Sequence, residues 1–204
     1  MSITKKLNPE EETMRFIILL MSVLLIAACE TTSKDSSPVV HKGVDGWTTS
    51  GENIWNTING YTYNKLPEAK SYLVSPAKYK NYRLELEFKP DAQVNSGVFV
   101  NCDTNTDIGS KFCFEANISD NHKKPEFRTG SIVRHAPPPA DKKVTTIDKW
   151  NKMVMTASNG ELVLEINGIT TAKVKTDKHP EGYIGLQRFK NGRIIFRNVK
   201  ITEL

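Results

Sequence analysis

The stretch Tyr82-Arg83-Leu84-Glu85-Leu86-Glu87-Phe88-Lys89 alternates apolar and charged residues at every position. Successive side chains of a β-strand point to opposite faces, so this period of two predicts a strand with one buried and one solvated face. The same alternation returns in residues 112–118 and 162–166. The chain therefore contains several half-buried strands, as is typical of antiparallel sheets.

Two Asn-Gly pairs, Asn159-Gly160 and Asn167-Gly168, separate further apolar runs. Asn and Gly both accept positive φ, which a type I′ hairpin turn needs at its two central residues. The run Pro137-Pro138-Pro139 cannot donate hydrogen bonds to a sheet and predicts a loop. Because no window after residue 44 keeps a helical period, we predict an all-β sandwich or jelly roll of antiparallel sheets, with only short helical pieces.

The N-terminus carries an apolar run, residues 16–26, that ends in Ile26-Ala27-Ala28-Cys29. The run has the length of a secretory signal peptide and is shorter than the roughly 20 residues that a membrane span needs. Its end resembles the bacterial lipobox, in which the cysteine is acylated and becomes the new N-terminus. An uncleaved anchor helix with a chance cysteine is the alternative. Met14 is an alternative start, because acidic residues 10–12 stand where a signal peptide is normally basic.

The predicted domain organisation follows from this N-terminus. Residues 29–43 are mostly polar and hold little to bury, which predicts a flexible tether. Glu30, rather than an aspartate, follows the lipobox cysteine and is compatible with sorting to the outer membrane. We predict a signal peptide at 1–28, a tether at 29–43 and one globular domain at 44–204, anchored in the cell envelope by a lipid on Cys29. If the cell is Gram-negative, the domain is expected at the outer membrane or in the periplasm.

The net charge of +5 is mild for 204 residues, and the lysines and arginines are scattered singly along the chain. Nucleic-acid-binding proteins usually concentrate basic residues on one element. We therefore predict no nucleic-acid partner.

The β-rich region carries a series of short motifs in a fixed order. They are Gly46-Trp47, the stretch from Tyr82 to Lys89, Asn95-Ser96-Gly97-Val98, Glu115 with Asp120, Thr129-Gly130, Trp150-Asn151, Ile166-Asn167-Gly168, the stretch from Gly182 to Gln187, and the stretch from Phe196 to Ile201. Each motif alone is weak, but in this order and spacing they resemble the 3-keto-disaccharide hydrolase family. The resemblance covers about residues 45–204 and implies a concanavalin-like jelly-roll sandwich of two antiparallel sheets, secreted or lipid-anchored in bacteria.

The resemblance also implies a carbohydrate partner and action on sugars with a ketone at C3, by lyase, hydratase or hydrolase chemistry. The ketone acidifies the hydrogen on C2, so a carboxylate or histidine removes it and forms an enolate, after which the C1 substituent leaves. Hydrogen-bond donors or a metal stabilise the enolate oxygen, and water then adds to the enone. Ca²⁺, Mg²⁺ or Mn²⁺ would suit such a site, although no ligand spacing in the sequence identifies a metal.

Four residues are candidates for this chemistry. Glu115 is the candidate base or metal ligand, because its neighbours of opposite parity are apolar and it points away from the core; a solvent-facing glutamate is the alternative. The amide of Gln187 suits sugar hydroxyls, with a bond to nearby backbone as the alternative. Arg134 and His135, just before the triple proline, are candidates for a cationic donor and a second base, with plain surface placement as the alternative.

Four positions differ from the residues that the family usually carries. Asn101 stands for an arginine and Asn117 for a glutamine, and both remain candidates for substrate binding. Val133 stands for a tyrosine and Phe189 for a histidine. A lost guanidinium or imidazole removes on the order of 2 to 4 kcal/mol of transition-state stabilisation. The runner-up function is therefore a non-catalytic carbohydrate-binding surface lipoprotein on the same fold.

Two cysteines, Cys102 and Cys113, lie in the predicted domain. An oxidising exterior would permit a disulfide between them. If Asn101 and Glu115 share one face, as the resemblance suggests, the hairpin register places the two cysteines on opposite faces unless a bulge intervenes. We therefore expect free thiols, with the disulfide as the alternative.

Overall fold

The computed structural model describes residues 37–65, 69–141 and 144–204, and its regular structure is almost entirely β-strand. The described strands are β1 (Val40–Lys42), β2 (Thr48–Gly51), β3 (Trp55–Ile58), β4 (Tyr61–Asn64), β5 (Ala69–Val74), β6 (Tyr82–Pro90), β7 (Asn95–Cys102), β8 (Phe114–Ile118), β9 (Asn151–Ser158), β10 (Glu161–Ile166), β11 (Ile169–Lys175), β12 (Tyr183–Lys190) and β13 (Ile194–Glu203). The helical structure in these ranges is one 3-10 turn, Pro125–Phe127.

The strands form two antiparallel sheets. The larger has the order β11-β10-β9-β6-β13-β4-β3, with β1 also paired to β13, and the smaller has the order β2-β5-β12-β7-β8. Apolar side chains from both sheets meet in one large cluster. The prediction of an all-β sandwich of two antiparallel sheets is confirmed.

The alternation in Tyr82–Pro90 works as the sequence predicts. Tyr82, Leu84, Leu86 and Phe88 are almost completely buried in the core, and the charged residues between them are only partly buried. Burial of each large apolar side chain contributes about 1.5 to 3 kcal/mol. The stretch therefore supplies a central strand of the larger sheet and much of the core.

The predicted hairpin turns are present. Asn159 and Gly160 have φ of 51° and 77°, and Asn167 and Gly168 have φ of 51° and 80°, as type I′ turns require. They connect β9 to β10 and β10 to β11. The triple proline lies outside the strands, as predicted.

The N-terminal boundary differs from the predicted one. Residues 40–42, predicted to lie in the tether 29–43, form β1 and pair with β13. Strand β4 pairs with β13 only at Ile195 and Phe196. Further along the same edge of β13, β1 pairs with residues 200–202. Backbone hydrogen bonding recruits this segment without apolar burial, so composition did not reveal it. The folded unit runs from Pro38 to Leu204.

The predicted signal peptide, 1–28, and the lipidation residue Cys29 lie outside the described residues. No helix in the described part of the chain is long and apolar enough to cross a membrane.

Strand β7 contains a bulge near its end. Phe99 pairs with Gly185 and Cys102 pairs with Tyr183, so β7 contains one more residue than β12 between these two pairs. Asn101 has a φ of 53°, in the left-handed region. The extra residue reverses the side-chain alternation of β7 after Phe99.

The bulge brings Cys102 to the face that carries Cys113, and the two form a disulfide. Both cysteines pack with Phe99 and Ile108 in a second apolar cluster, separate from the core. The expectation of free thiols is wrong, because it assumed an unbroken register. The disulfide closes residues 103–112, here called the disulfide loop, against the outer face of the smaller sheet.

Candidate functional site

A cleft of about 280 Å³ opens on the outer face of the smaller sheet. Strand register lays out its floor. Gln187 of β12 lies between Tyr72 of β5 and Gly97 of β7, and Gly97 lies opposite Asn117 of β8. Two amide side chains therefore flank a glycine in the floor.

Glu115 stands in the neighbouring row of the floor, opposite Phe99. Its side chain leans over Gly97: a Cβ on that glycine would lie 3.1 Å from Oε1 and 3.2 Å from Cγ of Glu115. Burial disfavours the ionised carboxylate and raises the pKa of Glu115 to about 7, while the positive charge of Arg134 lowers it in part. Glu115 is thus a cleft carboxyl that exchanges a proton near neutral pH, as a general base requires.

Two amide oxygens in the floor have unmet hydrogen-bonding capacity. Asn117 Nδ2 donates to the carbonyl of Phe127, and Gln187 Nε2 donates to the Tyr72 hydroxyl at 3.5 Å. Asn117 Oδ1 and Gln187 Oε1 are buried and accept no hydrogen bond from the described residues. An unsatisfied buried acceptor costs about 1 to 3 kcal/mol, so a ligand hydroxyl that reaches either oxygen would gain that energy.

Two loops form the walls of the cleft. Ile108, Gly109 and Ser110 of the disulfide loop line one part of it. Ser50 Oγ donates to the carbonyl of Thr106 at 2.7 Å and ties this loop to β2. The loop of residues 119–129 provides another wall.

In the 119–129 loop, His122 and Phe127 line the cleft, and their rings pack edge to face at 5.6 Å. Asp120 holds this loop in place. It accepts hydrogen bonds from Thr129 Oγ1 at 2.5 Å, from the backbone amide of Thr146 at 2.6 Å and from Thr146 Oγ1 at 2.7 Å. Asp120, the aspartate of the family motif, therefore stabilises the conformation of this loop.

Tyr72 is a buried member of the floor. Its ring meets Phe99 edge to face at 5.3 Å, and Lys70 Nζ lies 6.0 Å from the ring centroid. Burial raises the pKa of Tyr72 above its usual value; the hydrogen bond from Gln187 lowers it in part, and the charges of Glu115 and Asp107 raise it further. The phenol is therefore protonated across the neutral range.

The structure separates the two loop candidates. Arg134 is exposed, has a φ of 66°, and its charge acts on Glu115. The His135 ring packs on Phe114, which belongs to the core, at 4.9 Å. Burial first, and then the charges of Lys178 and a second histidine, lower the pKa of His135. Neither residue lines the cleft, and of the two it is Arg134 whose charge acts on Glu115.

Asn101 also lies outside the cleft. Its Oδ1 accepts a hydrogen bond from the Tyr82 hydroxyl at 2.7 Å, and its Nδ2 donates to the His179 carbonyl at 2.7 Å. The bulge turns Asn101 toward the core, so it does not share a face with Glu115 and Asn117 as expected. Its contacts make it a structural residue.

The donor set does not match a divalent metal. No group of three or more His, Cys, Asp or Glu in the described residues is arranged to hold one. Among the described residues that line the cleft, Glu115 is the sole carboxylate. The candidates Ca²⁺, Mg²⁺ and Mn²⁺ would need several oxygen ligands. The described cleft residues do not supply such a set.

Sequence reasoning missed several cleft residues: Lys70, Tyr72, Phe99, His122 and Phe127. Strand β5 is buried on both faces and shows no alternation, so nothing marked Tyr72. Three of the four positions that differ from the family pattern, Asn117, Val133 and Phe189, line the cleft.

Comparisons with known proteins agree with this architecture. The matching family model describes a 3-keto-alpha-glucoside-1,2-lyase-like domain and covers residues 41–202. The chain belongs to this family. The resemblance seen in the motifs is thus confirmed over almost the whole folded unit. No curated protein matches the sequence.

Several solved structures share this fold. A proposed glycosyl hydrolase of Parabacteroides distasonis is 24% identical, with a TM-score of 0.64, over 76% of this chain and 93% of its own. The carbohydrate-binding module CBM66 of Bacillus subtilis is 17% identical, with a TM-score of 0.58, over 76% and 94%. The VIP36 exoplasmic domain, bound to Ca²⁺ and Man3GlcNAc, is 8% identical, with a TM-score of 0.53, over 78% and 85%. These likenesses show the concanavalin-like jelly-roll fold alone.

Proposed function

We propose that the protein acts on 3-keto glycosides in the cleft and cleaves the bond to the C1 substituent by elimination. The observation that carries the proposal is Glu115, a carboxyl on the cleft floor whose pKa burial raises to about 7. Family membership supports 3-keto glycosides as the substrate class. The unmet amide oxygens of Asn117 and Gln187 suit the hydroxyl groups of a sugar.

In the proposed reaction, ionised Glu115 accepts the proton on C2. The electron pair of that C–H bond forms the C2=C3 double bond and places negative charge on the C3 oxygen. Arg134, whose charge already acts on Glu115, favours this enolate. Collapse of the enolate restores the ketone, forms the C1=C2 double bond and expels the C1 substituent. Addition of water to C1 of the enone then gives net hydrolysis.

The test uses purified residues 38–204, the folded unit, with 3-keto-glucosides in D₂O, with and without divalent metal. Deuterium incorporation at C2 and aglycone release are both measured. Glu115→Gln should lower both rates by about 100-fold or more. Glu181→Gln, an exposed glutamate outside the cleft, is the matched control and should leave them unchanged. Turnover that survives Glu115→Gln would remove Glu115 from its role.

A second function, carbohydrate binding without turnover, is favoured by Val133 and Phe189, which put apolar groups in the cleft where the family usually has a tyrosine and a histidine. Calorimetry with the same sugars distinguishes the two functions. Binding without exchange or release would establish the binding module.

We also propose that the domain works at the cell envelope, attached through a lipid on Cys29. The folded unit begins at Pro38, which leaves residues 29–37 as the connection to the lipid. Metabolic labelling with a fatty acid should mark the full chain and not Cys29→Ser. Equal labelling of both proteins would overturn the anchor.

A further inference from the structure

A second proton-transfer group is needed if elimination is to expel an alkoxide. The leaving oxygen of an alkyl glycoside is strongly basic, so a positioned acid accelerates its departure. This inference rests on the proposed function and concerns which residue supplies that acid.

Tyr72 is placed for this role by the floor of the cleft. Its ring reaches across β12 to contact Phe99, because the intervening residue of β12 on this face, Gly185, has no side chain. Phe99 is in turn the cross-strand partner of Glu115. Tyr72 and Glu115 therefore lie on the same face of the sheet, on opposite sides of Phe99.

The hydrogen bonds of Tyr72 leave its proton available. Gln187 Nε2 donates to the phenol oxygen, which acts there as an acceptor. Within the described residues, no group accepts the Tyr72 proton. The charges of Glu115 and Asp107 disfavour the phenolate, so the proton stays on Tyr72 until a more basic oxygen takes it.

We propose that the Tyr72 phenol is the general acid that protonates the glycosidic oxygen as it leaves C1. When the enolate collapses, the C1–O bond breaks and its electron pair stays on oxygen, which takes the phenol proton and departs as an alcohol. The products are the enone and the alcohol. The proton that Glu115 took from C2 passes through water to the phenolate, so both residues return to their starting states.

The experiment compares 3-keto-glucosides with methyl and 4-nitrophenyl aglycones. 4-Nitrophenolate leaves without protonation, whereas methoxide does not. Tyr72→Phe keeps the ring that packs on Phe99, and it should lower release of methanol by about 100-fold or more and release of 4-nitrophenol by less than tenfold. Deuterium exchange at C2 should persist. Tyr63→Phe, the same change on a strand of the larger sheet, is the control.

Equal losses for the two aglycones would overturn the assignment, since a structural effect does not depend on the leaving group. Replacement of Tyr72 by a fluorotyrosine provides a second measurement in a protein that keeps the hydroxyl; an unchanged rate on the methyl substrate would likewise overturn it. A wild-type protein that neither exchanges C2 hydrogen nor releases either aglycone would overturn the proposed function itself. Exchange with parallel losses would overturn the role of Tyr72 alone.

Discussion

The Glu115 side chain occupies the space that a side chain at position 97 would need. A Cβ on Gly97 would lie 3.1 Å from Glu115 Oε1 and 3.2 Å from its Cγ, and also 3.1 Å from the Ala116 carbonyl oxygen. Gly97 therefore sets the position of the candidate base, and the Asn-Ser-Gly motif acquires a physical reason.

Gly97→Ala should displace the Glu115 carboxyl and lower turnover by between about 10- and 100-fold, because a small misplacement of a reacting group is costly. Kinetics on a 3-keto glycoside give the measurement. Gly109→Ala is the control, since nothing lies within 4 Å of its Cβ position although Gly109 also lines the cleft. Equal rates for both variants would contradict the placement of Glu115.

Glu115 should make stability depend on pH. Its pKa is about 7 in the folded protein against an ordinary value of 4.5, so folding favours the protonated form. The stability it contributes is complete below pH 4.5 and is lost as the pH rises through 7. Glu115→Gln should therefore raise the free energy of unfolding above pH 7, by up to about 3 kcal/mol, and change it little at pH 4. Urea titrations at several pH values check this, with Glu181→Gln expected to show no such trend.

The same pKa predicts the pH profile of turnover. A base works in its ionised form, so C2 exchange should rise with pH up to about 7 and then level off. Removal of the Arg134 charge by Arg134→Gln should move this limb to higher pH, because that charge lowers the pKa of Glu115. If the rise of the exchange rate occurs at the same pH in Arg134→Gln as in the wild type, Arg134 does not act on Glu115.

The disulfide should stabilise both the fold and one wall of the cleft. A bridge between Cys102 and Cys113, 11 residues apart, is worth about 3 kcal/mol in the chain-entropy account. The double replacement by serine should lower the free energy of unfolding by about that amount and weaken sugar binding. Alkylation and intact mass, with and without reductant, should show a two-dalton shift.

Gln187→Met should separate recognition from stability. It removes an unsatisfied buried oxygen together with the long 3.5 Å hydrogen bond to Tyr72, and these two effects oppose each other, so the free energy of unfolding should stay within about 1 kcal/mol. Sugar affinity should fall about tenfold through one lost hydrogen bond. Calorimetry and urea denaturation provide the two values. Gln93→Met, on an exposed residue, should change neither.

Asn101 should prove structural. Asn101→Ala leaves the buried Tyr82 hydroxyl unpaired and puts alanine at a positive φ that asparagine tolerates better, so the free energy of unfolding should fall by about 2 to 4 kcal/mol, with KM unchanged. Asn101→Gly keeps the hydrogen-bond loss and relieves the backbone strain, and should lie between the wild type and the alanine variant. A raised KM in the glycine variant would show that Asn101 takes part in substrate binding.

Features of the fold that depend on a single local physical rule could be predicted from the sequence. The alternation from Tyr82 to Lys89 and the turns at Asn159 and Asn167 depend on local geometry, and the structure agrees. Glu115 could be placed on the outer face for the same reason. The bulge at Asn101 could not be predicted, because its cause is the pairing of β7 with a strand some eighty residues away. Tyr72 could not be predicted, because a strand that is buried on both faces shows no alternation of polar and apolar residues.

Strand β1 has a consequence for the chain ends. The Glu203 amide donates to the Val39 carbonyl at 2.9 Å, so the two ends of the folded unit lie side by side. Domains with adjacent ends tolerate circular permutation. A short glycine-serine linker between these ends, with new termini opened in the exposed Asn59-Gly60 turn, should give a permuted protein that keeps both sheets. The cleft would then be portable as an insert in the surface loop of another protein.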